Sequence, residues 1–234
     1  YDVDDQKRLY KEIMAEFDID PKRFPVNALM NRISTAKNEL VVPSAFEKEA
    51  NDPVGKVAAR VYGRLQERLK AANAFDFDDL LLYAFLLLKN HEDVLQAYQN
   101  RFRYIMVDEY QDTNHAQYVL VRELAGVDTG EKAIPGAPNA GKSGPAWITV
   151  VGDSDQSIYA FRGADIRNIQ DFEQDFPNAK TIMLEQNYRS TQTILDAANA
   201  VIARNENRKP KKLWTALGEG DKIVGYAADN AQQE

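Results

Sequence analysis

YIMVDEYQDTN, residues 104–114, decides how this chain is read: a short apolar run that ends abruptly in two acids, Asp108 and Glu109. Tyr, Ile, Met and Val in succession favour a buried strand, and the run is expected to sit centrally in a parallel sheet. Acids emerging at the carboxyl end of such a strand stand where open α/β sheets collect their ligands. A carboxylate pair in that position suits a magnesium ion and a general base beside a phosphate chain. A strand ending in acid is common, so the neighbouring segments must carry the rest of the argument.

Working outward, strands and helices alternate. Residues 148–152 (ITVVG) and 181–184 (TIML) read as further strands, and residues 114–124, 166–176 and 191–204 as helices. Ile166, Ile169, Phe172 and Phe176 mark the inward face of the second of these helices. That alternation predicts a parallel sheet with right-handed crossovers. Before it, the first 73 residues carry helical spacing only. Helices are expected over 4–17, from Pro25 to about residue 37, and over 54–71, the last opened by Asp52-Pro53. Asp76 is placed to cap an apolar helix that continues to about residue 89. A basic stretch, residues 208–212, reads as a solvated linker or a DNA contact, and residues 222–227 as a last strand.

Composition sets outer bounds. The 234 residues are 44% hydrophobic and 28% charged, enough for one large domain or two small ones. A net charge of −7 excludes a uniformly basic coat but leaves room for a local basic groove. The absence of cysteine excludes disulfides and thiolate metal sites and suits a cytoplasmic setting. The longest apolar run, LLLYAFLLL at residues 80–88, is far short of the about 20 residues a membrane span needs.

Residues 136–143, GAPNAGKS, match the phosphate-loop pattern G-x-x-x-x-G-K-[ST]. The mechanism behind that pattern requires a buried strand before it and a helix starting at the lysine. Here the preceding residues are polar, and Pro145 follows Ser143 too closely for a helix to grow. The match is read as part of a surface insertion, residues 127–146.

Three segments converge on one sheet edge in this reading: DEYQDTN, GDSDQSIYAFRGA (residues 152–164) and LEQNYRS (residues 184–190). In this order and spacing they resemble motifs II, III and IV of superfamily 1 DNA helicases of the UvrD, PcrA and Rep type. The resemblance runs over nearly the whole chain. It implies an α/β, RecA-like parallel sheet with flanking helices plus an inserted all-helical subdomain. Residues 1–74 would be that subdomain, with FDFDDLL (residues 75–81) the return into the core. Residues 75–205 would be part of the first core, and residues 206–234 the linker and start of the second.

The resemblance also implies residue roles. Asp108 would hold Mg2+, and Glu109 would be the base that deprotonates the attacking water. Gln156 would contact the γ-phosphate of ATP, Tyr188 would stack on adenine, and Arg189 would neutralise charge on the transferring phosphoryl group. Tyr159 and Phe161 would offer ring faces to single-stranded DNA, and Arg162 would tie that segment to the acid pair. Phe161 stands where many relatives carry tryptophan. Read from the residues alone, Tyr159 and Phe161 also fit one face of a packed strand, Tyr188 a packing ring, and Arg162 and Arg189 surface ion-pair partners. Asp112 fits a cap for the next helix as well as a site acid.

The expected function is ATP-driven translocation on single-stranded DNA and unwinding of duplex, 3′-to-5′ by resemblance, in repair or replication. The resemblance places the true phosphate loop before Tyr1 and the arginine-bearing motifs of the second core after Glu234. A central fragment without them is expected to be inactive and to bind ATP weakly. A helicase–nuclease, or a DNA- or protein-binding module with an idle ATP site, remain the other classes this pattern allows.

Overall fold

The computed structural model describes residues 1–126, 146–160, 163–170, 172–176, 179–205, 210–228 and 230. Phe161, Arg162, the GAPNAGKS segment and part of the basic stretch lie outside the described residues. The chain divides into two compact units, Tyr1–Phe176 and Pro177–Glu234.

The first unit begins with four helices: α1 (Val3–Glu16), α2 (Val26–Asn38), α3 (Pro43–Glu49) and α4 (Pro53–Ala71). Local chemistry sets their starts. Asp2 accepts the Asp5 N–H at the head of α1, and Asp52 accepts that of Gly55 at the head of α4, with Pro53 in the first turn. Pro25 stands just outside α2, in the cap position rather than within the first turn. Apolar residues at helical spacing then lock the layer together. Leu9, Ile13 and Met14 of α1, Leu29 and Ile33 of α2, and Val61, Tyr62, Leu65 and Leu69 of α4 form one buried cluster.

Helix α5 (Phe77–Asn90) follows, opened by the expected cap: Asp76 and Asp79 exchange side-chain and backbone hydrogen bonds as a capping box. Both acids are buried, and Lys37 from α2 inserts between them, with Nζ 2.5 Å from Asp76 Oδ2 and 2.8 Å from Asp79 Oδ1. Lys37 is 1% exposed, and its ammonium also lies over the Tyr62 ring at 5.7 Å. Gln66 donates to Asp79 and accepts from the Tyr83 hydroxyl, completing the cluster.

Helix α6 (Glu92–Arg101) leads to β1 (Tyr104–Val107), then α7 (His115–Ala125), closed by Gly126 in the left-handed conformation, and β2 (Trp147–Val150). The strands pair in parallel, Tyr104 opposite Trp147 and Val107 opposite Val150, so both deliver their carboxyl ends to the same edge. Among the described residues the sheet has these two strands. The reading of residues 104–107 as a fully buried strand is corrected: Tyr104 and Met106 are each 78% exposed and Trp147 74%, while Ile105, Val107, Ile148 and Val150 are half-buried. The alternation shows a sheet covered on one face only.

Other differences have similarly local reasons. The expected helix over residues 166–176 is helical at α8 (Arg167–Gln170) and α9 (Phe172–Asp175), residue 171 lying outside the described residues. In the second unit, described by itself, α10 (Gln192–Ile202) forms as expected. Residues 181–184 and 222–227 are not strands. Among the described residues no ladder forms at either segment, and Ile182, Leu184 and Val224 are exposed. An apolar run becomes a strand only where a neighbouring strand takes its N–H and C=O groups. This unit is pinned instead by a Gln186–Trp214 bridge and by Asn199, whose amide both donates to and accepts from the Leu213 backbone. Among the described residues no helix is long and apolar enough to cross a membrane.

The acid cluster at the head of α5 makes a stability prediction. Burial outweighs Lys37 and holds the Asp76 carboxyl above the usual carboxylate range. Asp76 therefore contributes stability that is complete below its unfolded value and is lost as pH rises through the raised folded value. Lys37→Met should cost about 3–5 kcal/mol at neutral pH by leaving two buried carboxylates without a counter-charge. The loss should shrink on acidification. Asp76→Asn keeps the capping oxygen but turns its amide NH2 toward the Lys37 ammonium, and should cost about 1–3 kcal/mol with a weaker pH dependence. Urea unfolding of the three proteins across pH checks both.

Candidate active site

The acid pair sits where β1 ends. Val151 N–H donates to Val107 O at 2.8 Å, and Tyr110 N–H returns to Val151 O at 3.0 Å, so the two chains stay in register past the strands. Between these bonds the chain turns sharply: Glu109 takes a left-handed conformation, φ 49° and ψ 41°. A non-glycine residue held there is strained, and such strain gathers at functional positions. The turn leaves both Asp108 and Glu109 exposed to solvent, with Glu109 N–H donating to Asp108 Oδ1 at 2.9 Å.

Gln111 organises what lies behind. It is 1% exposed, and its amide is divided between two segments. Nε2 donates to Glu109 Oε2 at 2.8 Å and to Asp112 Oδ2 at 3.3 Å. Oε1 accepts the Asp153 N–H at 3.0 Å, and the Gln111 carbonyl accepts from Ser157 Oγ at 3.3 Å. Asp153 in turn accepts from Gln156 Nε2 at 2.8 Å. A continuous chain of hydrogen bonds therefore runs Glu109–Gln111–Asp153–Gln156. Gly152 makes the approach possible, because a Cβ there would lie 2.6 Å from Gln111 Oε1 and 2.9 Å from Ile169 Cδ1.

A second set of bonds fastens the segment that follows. Thr113 O accepts from Asp165 N–H at 2.9 Å and from Asn168 Nδ2 at 3.0 Å, and Asn114 bridges Ala164 in antiparallel sense. Arg167 donates to both oxygens of Asp165 and so holds that carboxyl below its ordinary range. Helix α7 is capped by Asn114 with Gln117, which sets aside a capping role for Asp112. Asp112 Oδ1 is buried and accepts no hydrogen bond among the described residues. Beside it, Asp112, Asn114, Gln117 and Tyr159 line a shallow open concavity.

Of the residues singled out from sequence, Asp108, Glu109, Gln156 and Tyr159 lie on this edge of the first unit. Tyr188 and Arg189 belong to the second unit. They occupy an exposed turn in which Asn187 Oδ1 accepts the N–H groups of Arg189 and Ser190 at 2.9 and 2.8 Å. The Tyr188 ring is 79% exposed, with its hydroxyl donating to Gln186. That exposure corrects the reading of Tyr188 as a packing ring. Gln111 was read with the acid pair but without a role, and Gly152 and Asp153 are positioning residues that were not singled out. The signal for Gln111 was a neutral amide set among three acids and two hydroxyls.

Among the described residues no group of three or more His, Asp or Glu side chains is arranged to hold a metal ion. Two adjacent carboxylates, Asp108 and Glu109, stand exposed at the strand end. Such a pair suits magnesium, which is commonly held by one or two carboxylates together with phosphate oxygens and water.

A parallel ladder thus ends in paired acids that are cross-linked to a second polar loop. Comparison with known families is specific. Residues 1–177 match the UvrD/REP helicase N-terminal domain, and residues 182–234 match the UvrD-like helicase C-terminal domain. The chain belongs to the UvrD/REP helicase family. It is 52% identical over 237 residues to the ATP-dependent DNA helicase UvrD1 of Mycobacterium tuberculosis (strain ATCC 25618 / H37Rv), covering all of this chain and 29% of that protein. It is 48% identical over 229 residues to the ATP-dependent DNA helicase PcrA of Bacillus subtilis (strain 168), covering 98% of this chain and 29% of the relative. The chain thus spans less than a third of the length of these curated relatives.

Gly152→Ala should force Gln111 away from Asp153 and Glu109. The expected cost is about 1–3 kcal/mol from overpacking, read by thermal unfolding. A fully stable Gly152→Ala protein would mean the Gln111 contact is slack.

Proposed function

We propose that this chain is the part of an ATP-dependent DNA helicase that carries the hydrolytic acids and the first DNA-facing segment. The observation that carries the reading is the hydrogen-bond chain Glu109–Gln111–Asp153–Gln156, which joins the acids to the loop leading toward Tyr159. Family membership and the names of the similar proteins support it.

In this reading residues 75–205 contribute to a RecA-like core, residues 1–74 form a helical subdomain inserted in it, and residues 206–234 pass into a second core. The single buried cluster of α1, α2 and α4 supports the helical assignment. Asp108 is the residue to hold Mg2+, with Glu109 beside it. When bound, the ion would neutralise charge on the β- and γ-phosphates. Glu109 accepts the proton of the attacking water; its left-handed backbone presents the carboxylate outward, and the Gln111 amide orients it. Gln156 reads the γ-phosphate and passes its presence through Asp153 and Gln111. Arg189 stabilises the transferring phosphoryl group, and Tyr188 takes adenine on its exposed ring. Tyr159, with Phe161, takes bases of single-stranded DNA by stacking, which is indifferent to sequence. Arg162 links that segment to the acids. The site serves unwinding in DNA repair or replication.

Tests on the full-length protein separate these roles. Glu109→Gln should lower DNA-stimulated ATP turnover by about 10²–10⁴-fold while leaving nucleotide binding nearly intact. Undiminished turnover would remove Glu109 from the role of base. Tyr159→Ala should weaken single-strand binding by about 1–3 kcal/mol with a smaller effect on basal hydrolysis. Equal losses in both assays would point to a folding defect.

A further inference from the structure

We infer that Asn38 is a positioning residue that couples the helical layer to the DNA-dependent step of catalysis, an inference that rests on the helicase reading. Asn38 is the last residue of α2, and its half-buried side chain meets three elements. Its Nδ2 donates to Ser34 O within α2 at 2.9 Å and to Asp78 Oδ1 in the first turn of α5 at 3.2 Å. Its Oδ1 accepts from Asn114 Nδ2 at 2.7 Å, a contact between residues 76 positions apart.

Both ends of that contact are anchored. On one side, Lys37 is buried between Asp76 and Asp79, and Leu29 and Ile33 tie α2 into the helical core, so the end of α2 moves with its layer. On the other, Asn114 caps α7, bridges Ala164, and lies three residues beyond Gln111. Ala164 N–H donates to Tyr159 O at 3.3 Å, so the same residue reaches the segment proposed to face DNA. The Asn38–Asn114 contact itself is made of two amides. Hydrogen bonds of this kind exchange with water at little net free energy, which lets the contact form and break while the layers on either side stay folded. A displacement of the helical layer is thereby delivered to the head of α7, between the acids and Tyr159.

The test uses steady-state ATP turnover of the full-length protein with and without single-stranded oligonucleotide. Asn38→Ala should reduce the stimulation ratio about fivefold, with basal turnover, the KM for ATP and the melting temperature unchanged. Asn114→Ser keeps a capping oxygen but withdraws the amide from Asn38, and should reduce the ratio similarly. The double variant should be no worse than either single one, because both remove the same contact. An unchanged ratio in Asn38→Ala, additive losses in the double variant, or a parallel fall in basal rate and melting temperature would each overturn the coupling role. A wild-type protein that DNA does not stimulate would overturn the helicase reading and this inference with it.

Discussion

The buried amide of Gln111 is the constraint on which the site depends. A glutamine side chain has one acceptor and two donors on a rigid plane, and here that plane faces two segments at once: the Asp153 backbone on one side and the Glu109 carboxylate on the other. An isolated buried amide is costly unless its groups are satisfied, so satisfaction fixes the distance between the segments. Gly152 allows the approach, and the return bonds between Val107, Tyr110 and Val151 hold the strand ends level. The strained backbone at Glu109 persists because these neighbours over-determine it.

Polar contacts from the end of α2 help fasten the helical layer to this edge. Lys37 satisfies the two acids that open α5, and Asn38 meets the residue that caps α7. The two helix starts are thus placed by adjacent residues at the end of α2. A buried ion cluster adds little net stability against an apolar replacement, but losing one partner leaves an uncompensated buried charge. Specifying where α5 and α7 begin is what places the acids relative to the helical core.

Much of this was legible in the sequence where the determinants are local. The caps at Asp52 and Asp76, the apolar spacing of α4, and the places of α1, β1 and β2 all depend on residues a few positions apart. Helices α3 and α6 were not read because they bury little: α3 buries no residue and α6 only Leu95, so neither carries an apolar stripe. Residues 181–184 and 222–227 have strand composition without a ladder beside them, and composition cannot supply a partner. The Lys37 cluster and the Asn38–Asn114 contact join residues 39 to 76 positions apart and leave no periodic trace. For the site, the contiguous motifs exposed Asp108, Glu109, Gln156 and Tyr159. The residues that position them became visible only with the backbone in place.

The most direct test of the central claim is a crystal structure of the full-length protein with Mg2+ and a non-hydrolysable ATP analogue. The account predicts the ion at the Asp108 carboxylate, bound directly at about 2.1 Å or through one water. It also predicts Glu109 turned toward the γ-phosphate, Gln156 within hydrogen-bond reach of it, and Gln111 still bridging Glu109 and Asp153. An ion held elsewhere, or a triphosphate seated away from these carboxylates, would contradict it.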